Sequence, residues 1–127
     1  MSHVPIIEDE MLIAMHLENL VAELGFKSVD LLATESDAIA LARVRPPSII
    51  LSDLRLDQGS GPTAVRAIRA ALGPIPVVFI SGNPENSPTD LEASFVLPMP
   101  VPDHQLAAIL RMAIRSRAEG PPMPPVA

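Results

Sequence analysis

Short apolar runs recur along this chain and alternate with stretches of helical periodicity, and that alternation constrains the fold more than any single residue does. The runs are VPII (Val4–Ile7), SVDLL (Ser28–Leu32), SIILS (Ser48–Ser52), PVVFI (Pro76–Ile80) and SFVL (Ser94–Leu97). Each has strand length and falls short of a helix, and the central ones are rich in β-branched residues. Between the first two, Glu10–Leu24 carries Ile13, Leu17, Leu20, Val21 and Leu24 at helical spacing, with Gly25 as the stop. Further helices are predicted at Ser36–Val44, ended by Arg45-Pro46-Pro47, and at Pro62–Leu72, with proline in the first turn and Gly73-Pro74 beyond the end. The last spans Pro102–Arg117, with Asp103 at its positive end and arginines at its negative end.

Strands that alternate with helices imply right-handed crossovers, and so a parallel sheet covered on both faces. The expectation is an α/β, doubly wound, five-stranded sheet with five helices. The fourth helix is short or irregular, because its segment GNPENSPTDLEA contains Pro84 and Pro88. With 127 residues and no internal repeat, one domain over 1–118 is expected, followed by a Pro-rich disordered tail, EGPPMPPVA, at 119–127.

Composition narrows the function classes. A formal charge of −6 and three Phe with no Trp or Tyr argue against nucleic acid, which needs a basic face and rings for stacking. No apolar run approaches the ~18 residues of a membrane span, and the start lacks the pattern of a secretory signal. The absence of cysteine removes thiolate metal sites and suits a reducing, cytoplasmic setting.

In a doubly wound sheet, ligands sit beyond the carboxyl ends of the strands, where the strand order reverses. The first strand ends in Glu8-Asp9, the third in Asp53, and the fourth in Ser81-Gly82. If the first and third strands are neighbours, three carboxylates converge. Like charges that close raise one another's pKa unless a cation offsets them. Oxygen donors without Cys or His fit a hard ion, Mg²⁺ first. Asp9 has a plain alternative as N-cap of the first helix. Asp53 does not: the next helix begins several residues later, where Ser60-Gly61-Pro62 supplies cap and first turn. Nor is Ser81 needed as a cap, since Asn83-Pro84 suits that role better.

VPIIEDE, IILSDLRLDQGSG, VVFISGN and FVLPMPV, in this order and spacing, resemble the response-regulator receiver (CheY-like) domain of two-component systems over residues 3 to about 117. The resemblance implies strand order 2-1-3-4-5 and a stand-alone, non-enzymatic phosphorelay protein that signals through protein contacts. It makes Asp53 the phosphoacceptor, charged by a histidine kinase or phosphotransfer protein. It makes Asp9 a direct Mg²⁺ ligand, Glu8 a ligand through water, and the Arg55 backbone carbonyl a further ligand alongside Asp53. The Ser81 hydroxyl and Gly82 amide would bind phosphoryl oxygens, and Gly61 matches the family's glycine before the third helix.

The pattern breaks at one point. The family's lysine before a proline at the end of the fifth strand falls on Met99, and the only lysine in the chain is Lys27. Arg55 is the nearest candidate replacement in sequence. The family's switch aromatic falls on Val96, beside Phe95. Two alternatives therefore stand beside the receiver: a pseudo-receiver that acts as a phosphorylation-independent interaction module, and a Mg²⁺-dependent phosphohydrolase. The downstream partner is an unspecified protein or a second copy in a homodimer. His3 and His104 are expected at the surface, His16 as a partly exposed helix residue, and Met11 and Met15 as packing or partner-face residues.

Overall fold

The computed structural model describes residues 3–82 and 94–118. Its elements run β1 (His3–Ile7), α1 (Met11–Glu23), β2 (Ser28–Leu32), α2 (Glu35–Val44), β3 (Ile50–Asp53), α3 (Gly61–Leu72), β4 (Val77–Ser81), β5 (Ser94–Pro98) and α4 (Asp103–Ala118). All strand pairs are parallel, in the order β2-β1-β3-β4-β5. This is the doubly wound sheet expected from the sequence. The expected irregular fourth helix and the Pro-rich tail lie outside the described residues.

Alternation along the strands explains why helices cover both faces. Successive strand residues point to opposite sides. Val4, Ile6, Leu51, Val78 and Ile80 join Leu17, Leu20 and Val21 of α1 and Leu106, Leu110 and Ala113 of α4 in one core. Ile7, Ile50, Val77 and Phe79 join Ala38 and Ala42 of α2 and Ala64, Val65 and Ile68 of α3 in the other. Each fully buried Val, Ile, Leu or Phe contributes roughly 1.5–3 kcal/mol of transfer free energy, so the two cores fix the strand register firmly. A slip of one residue would exchange the two faces.

The helix ends follow local chemistry. Thr34 caps α2 by accepting from the Asp37 amide at 3.2 Å, and Ser60 caps α3 by accepting from the Thr63 amide at 3.1 Å. Glu35 thus opens α2, one residue before the predicted start. Gly25, with φ of +92°, turns the chain out of α1 toward β2.

One surface expectation needs correction. His3 is largely covered: its Nε2 lies 2.8 Å from Asp30 Oδ2 and its Nδ1 lies 2.7 Å from Ser28 Oγ. Burial lowers its pKa, against the opposing pull of Asp30. Met11 and Met15 are exposed at 63% and 49%, which removes the packing alternative for them and leaves the partner-face one. His16 is exposed as expected, with its Nε2 2.9 Å from Asp103 Oδ1, which ties α1 to the start of α4.

Candidate functional site

The strand order reverses between β1 and β3, and the acidic residues gather there. In the register, Ile6 pairs with Leu51 and Ile7 with Ser52. Ile6 and Leu51 face the same core. Two residues further on, Glu8 and Asp53 share that parity at the carboxyl edge. The Glu8 amide still donates to the Leu32 carbonyl at 2.9 Å, so the sheet holds Glu8 in place and buries its side chain. Glu8, Asp9 and Asp53 each offer a carboxylate oxygen within 4.8 Å of the others.

Such a cluster is electrostatically costly. Burial raises the Glu8 carboxyl from 4.5 to about 7, with the charges of Asp53 and Asp9 adding to the rise and the Glu10 amide opposing it. Burial also raises Asp53, opposed by the amides of Arg55 and Leu54, while the Asp9 charge adds to it. Three oxygen donors with no sulfur or imidazole among them suit Mg²⁺ or another hard cation, whose charge would relieve this repulsion.

The capping alternative for Asp9 does not hold. Glu10 is the N-cap of α1 and makes no side-chain cap bond. The carboxylate that turns back is that of Glu8, whose Oε2 accepts from the Glu10 amide at 3.0 Å. Asp9 instead reaches across to the loop after β3, where its Oδ2 accepts from the Asp57 amide at 2.6 Å. Sequence spacing could not reveal that contact, because 48 residues separate the pair.

The end of β3 is shaped by close packing. The buried Ser52 Oγ donates to the Asp53 carbonyl at 2.7 Å. Gly61, at the start of α3, lies so near that an added Cβ would run into this carbonyl and the Ser52 hydroxyl. Here glycine is demanded by close approach. The Arg55 amide lies 3.5 Å from Asp53 Oδ1, and the Arg55 side chain is exposed.

Ser81 is buried at the end of β4, one residue beyond Ile80, the register partner of Asp53. Gly82 follows, exposed, with open space where a Cβ would stand. The Met99 amide donates to the Ser81 carbonyl at 2.8 Å, so Met99 flanks the same edge. Its side chain lines a cavity of about 300 Å³ between α1 and α4. Lys27 precedes β2 and so sits at the opposite edge of the sheet.

Comparison with known proteins agrees with the fold. Residues 4–109 match the family model of the response regulator receiver domain. The chain belongs to that family. It is 35% identical over 113 residues to the phyllosphere-induced regulator PhyR of Methylorubrum extorquens, covering 86% of this chain and 42% of that protein. A doubly substituted form of the anti-anti-sigma factor PhyR from Bartonella quintana superposes with a TM-score of 0.82 at 33% identity, over 94% of this chain and 50% of that one. The receiver domain of the sensor histidine kinase PA1611 from Pseudomonas aeruginosa superposes with a TM-score of 0.78 at 26% identity, over 91% of this chain and 98% of that one. That structure holds a magnesium ion in its active-site cleft. The chain thus spans about half the length of the PhyR proteins it matches. Among the described residues, no helix is long and apolar enough to cross a membrane.

Proposed function

We propose that this receiver domain accepts a phosphoryl group on Asp53, with Mg²⁺ held at the Glu8–Asp9–Asp53 cluster, and signals by a change in protein contacts. The observation that carries this is the convergence of three carboxylates at the sheet's reversal point, with Glu8 raised to about 7. A structural role does not call for that expense. Asp53 caps no helix, since Ser60 performs that task.

Asp9 and Asp53 would hold the cation directly, Glu8 through a water, and the Arg55 carbonyl would complete the protein ligands. The bound cation supplies charge neutralisation where a dianionic group must approach a carboxylate. An Asp53 carboxylate oxygen would attack the phosphorus of a donor phosphohistidine. A P–O bond forms, the P–N bond breaks, and the imidazole nitrogen leaves with the electron pair. The product is an acyl phosphate. Ser81, one residue beyond the register partner of Asp53, would bond a phosphoryl oxygen through its hydroxyl, and the exposed Gly82 would offer its amide.

A histidine kinase or phosphotransfer protein as donor, and a cytoplasmic setting, belong to the same proposal. The names of the PhyR relatives suggest an output in anti-anti-sigma or stress regulation through a partner protein. One observation favours a second reading, the phosphorylation-independent interaction module. Where a fixed positive charge is expected beside Ser81, the chain has the thioether of Met99, and its single lysine lies at the other edge.

The separating experiment is incubation of the protein with Mg²⁺ and phosphoramidate, followed by intact mass. Stoichiometric labelling in the wild type and none in Asp53→Asn supports the phosphoacceptor. An unlabelled wild type that binds no Mg²⁺ supports the interaction module.

A further inference from the structure

The loop after Asp53 is gripped from two sides. On one side the Asp57 amide donates to Asp9 Oδ2 at 2.6 Å, which fixes the orientation of a carboxylate in the acidic cluster. On the other side stands Glu35, the first residue of α2. Its Oε1 accepts from the Ser60 amide at 3.0 Å, and its own amide donates to the Gln58 carbonyl at 3.3 Å. Gly59 lies between those two contacts with φ of +97°, and an added Cβ there would strike the Glu35 side chain. The loop is also closed on itself by the antiparallel Arg55–Ser60 bridge and by the Gly61 amide donating to the Leu54 carbonyl at 3.3 Å.

A plain explanation exists for an acid in the first turn of a helix, where negative charge complements the helix dipole. That role needs only the charge. It does not require a particular oxygen to be spent on an amide 25 residues away. The contacts of Glu35 fix Gln58, Gly59 and Ser60, and Asp57 is the next residue in the chain. We infer that Glu35 is a positioning residue for the acidic cluster: by holding Gln58–Ser60 it keeps the Asp57 amide aimed at Asp9, and so raises the cluster's affinity for a divalent cation. This inference rests on the cation-binding reading above. Groups that orient metal ligands from behind are commonly worth about tenfold or more in affinity. By linkage, the cation in turn steadies the loop.

The test is calorimetric titration of MgCl₂ into the metal-free protein, as wild type, Glu35→Ala, Glu35→Gln and Gly59→Ala. Amide exchange at Ser60 is measured alongside. Glu35→Ala and Gly59→Ala are expected to weaken Mg²⁺ binding about tenfold and to speed exchange at Ser60. Glu35→Gln is expected to stay close to wild type, because the amide oxygen still accepts the Ser60 hydrogen bond. Equal Mg²⁺ affinity in wild type and a cooperatively folded Glu35→Ala overturns the inference and leaves the cation site standing. Loss in Glu35→Gln equal to that in Glu35→Ala also overturns it, since charge alone would then be at work. A wild type that binds no Mg²⁺ removes this inference together with the proposed function. If Glu35→Ala fails to fold, Gly59→Ala decides the matter from the loop side, equal affinity again counting against it.

Discussion

Glu8→Gln should stabilise the metal-free protein, and by an amount that depends on pH. Glu8 is buried against Asp9 and Asp53, and its carboxyl rises from 4.5 to about 7 on folding. A carboxyl raised in this way is protonated more readily in the folded chain than in the unfolded one. Its contribution is therefore fully present below 4.5 and is lost as pH climbs through about 7. Each pH unit between those values is worth about 1.4 kcal/mol, which sets a ceiling of about 3–4 kcal/mol at pH 8. Screening at the mouth of the cluster reduces that to about 1–2 kcal/mol. Glutamine keeps an oxygen for the Glu10 amide and carries no charge, so it mimics the protonated acid. Urea unfolding followed by circular dichroism, with a chelator present, checks this. The variant should exceed wild type by about 1–2 kcal/mol at pH 8 and match it at pH 4.5. Saturating Mg²⁺ should shrink or reverse the gain at pH 8. A difference that is the same at both pH values would mean that charge repulsion at this cluster does not limit stability.

Gly61→Ala should cost roughly 1–3 kcal/mol, because its Cβ meets the Asp53 carbonyl; a denaturation midpoint equal to wild type would show that the end of β3 can yield. Ser60→Ala removes the cap of α3 and should cost about 1 kcal/mol, read in the same urea experiment. Met99→Lys restores a lysine at the position whose amide bonds the Ser81 carbonyl and should change the lifetime of the Asp53 phosphoryl group more than Mg²⁺ affinity. Equal lifetimes measured by intact mass would show that this position carries no weight here.

The five strands were legible because parallel strands buried on both faces must be apolar throughout, and four of the runs are nearly so; their order was implied only by the family resemblance, since apolar pattern does not encode which strands are neighbours. Asp53 stood out for a similar reason: a carboxylate ending such a run, with no helix to cap, has no structural task. Boundaries drifted by a residue or two where pairing rather than composition decides them. Asp53 belongs to β3 and Ser81 to β4 because the ladder continues through them. What stayed hidden was long-range. The Asp57 amide on Asp9 and the Ser60 amide on Glu35 are contacts between loops and distant elements, and no local spacing encodes them. The loop Asp57-Gln58-Gly59-Ser60 did carry a general signal, since its backbone amides needed acceptors from elsewhere. Which acceptors those are depends on the packing of α2 against the sheet. His3 was misjudged for the same reason, because its cover comes from Asp30 and Ser28 on the neighbouring strand.

The most direct measurement is a crystal structure of the protein grown with Mg²⁺ and beryllofluoride. The expected result is a trifluoroberyllate on an Asp53 oxygen, with an octahedral cation about 2.0–2.1 Å from oxygens of Asp9 and Asp53. An unmodified Asp53 with the three carboxylates turned away from one another and no ion between them would contradict the assignment of this edge as the phosphoacceptor site.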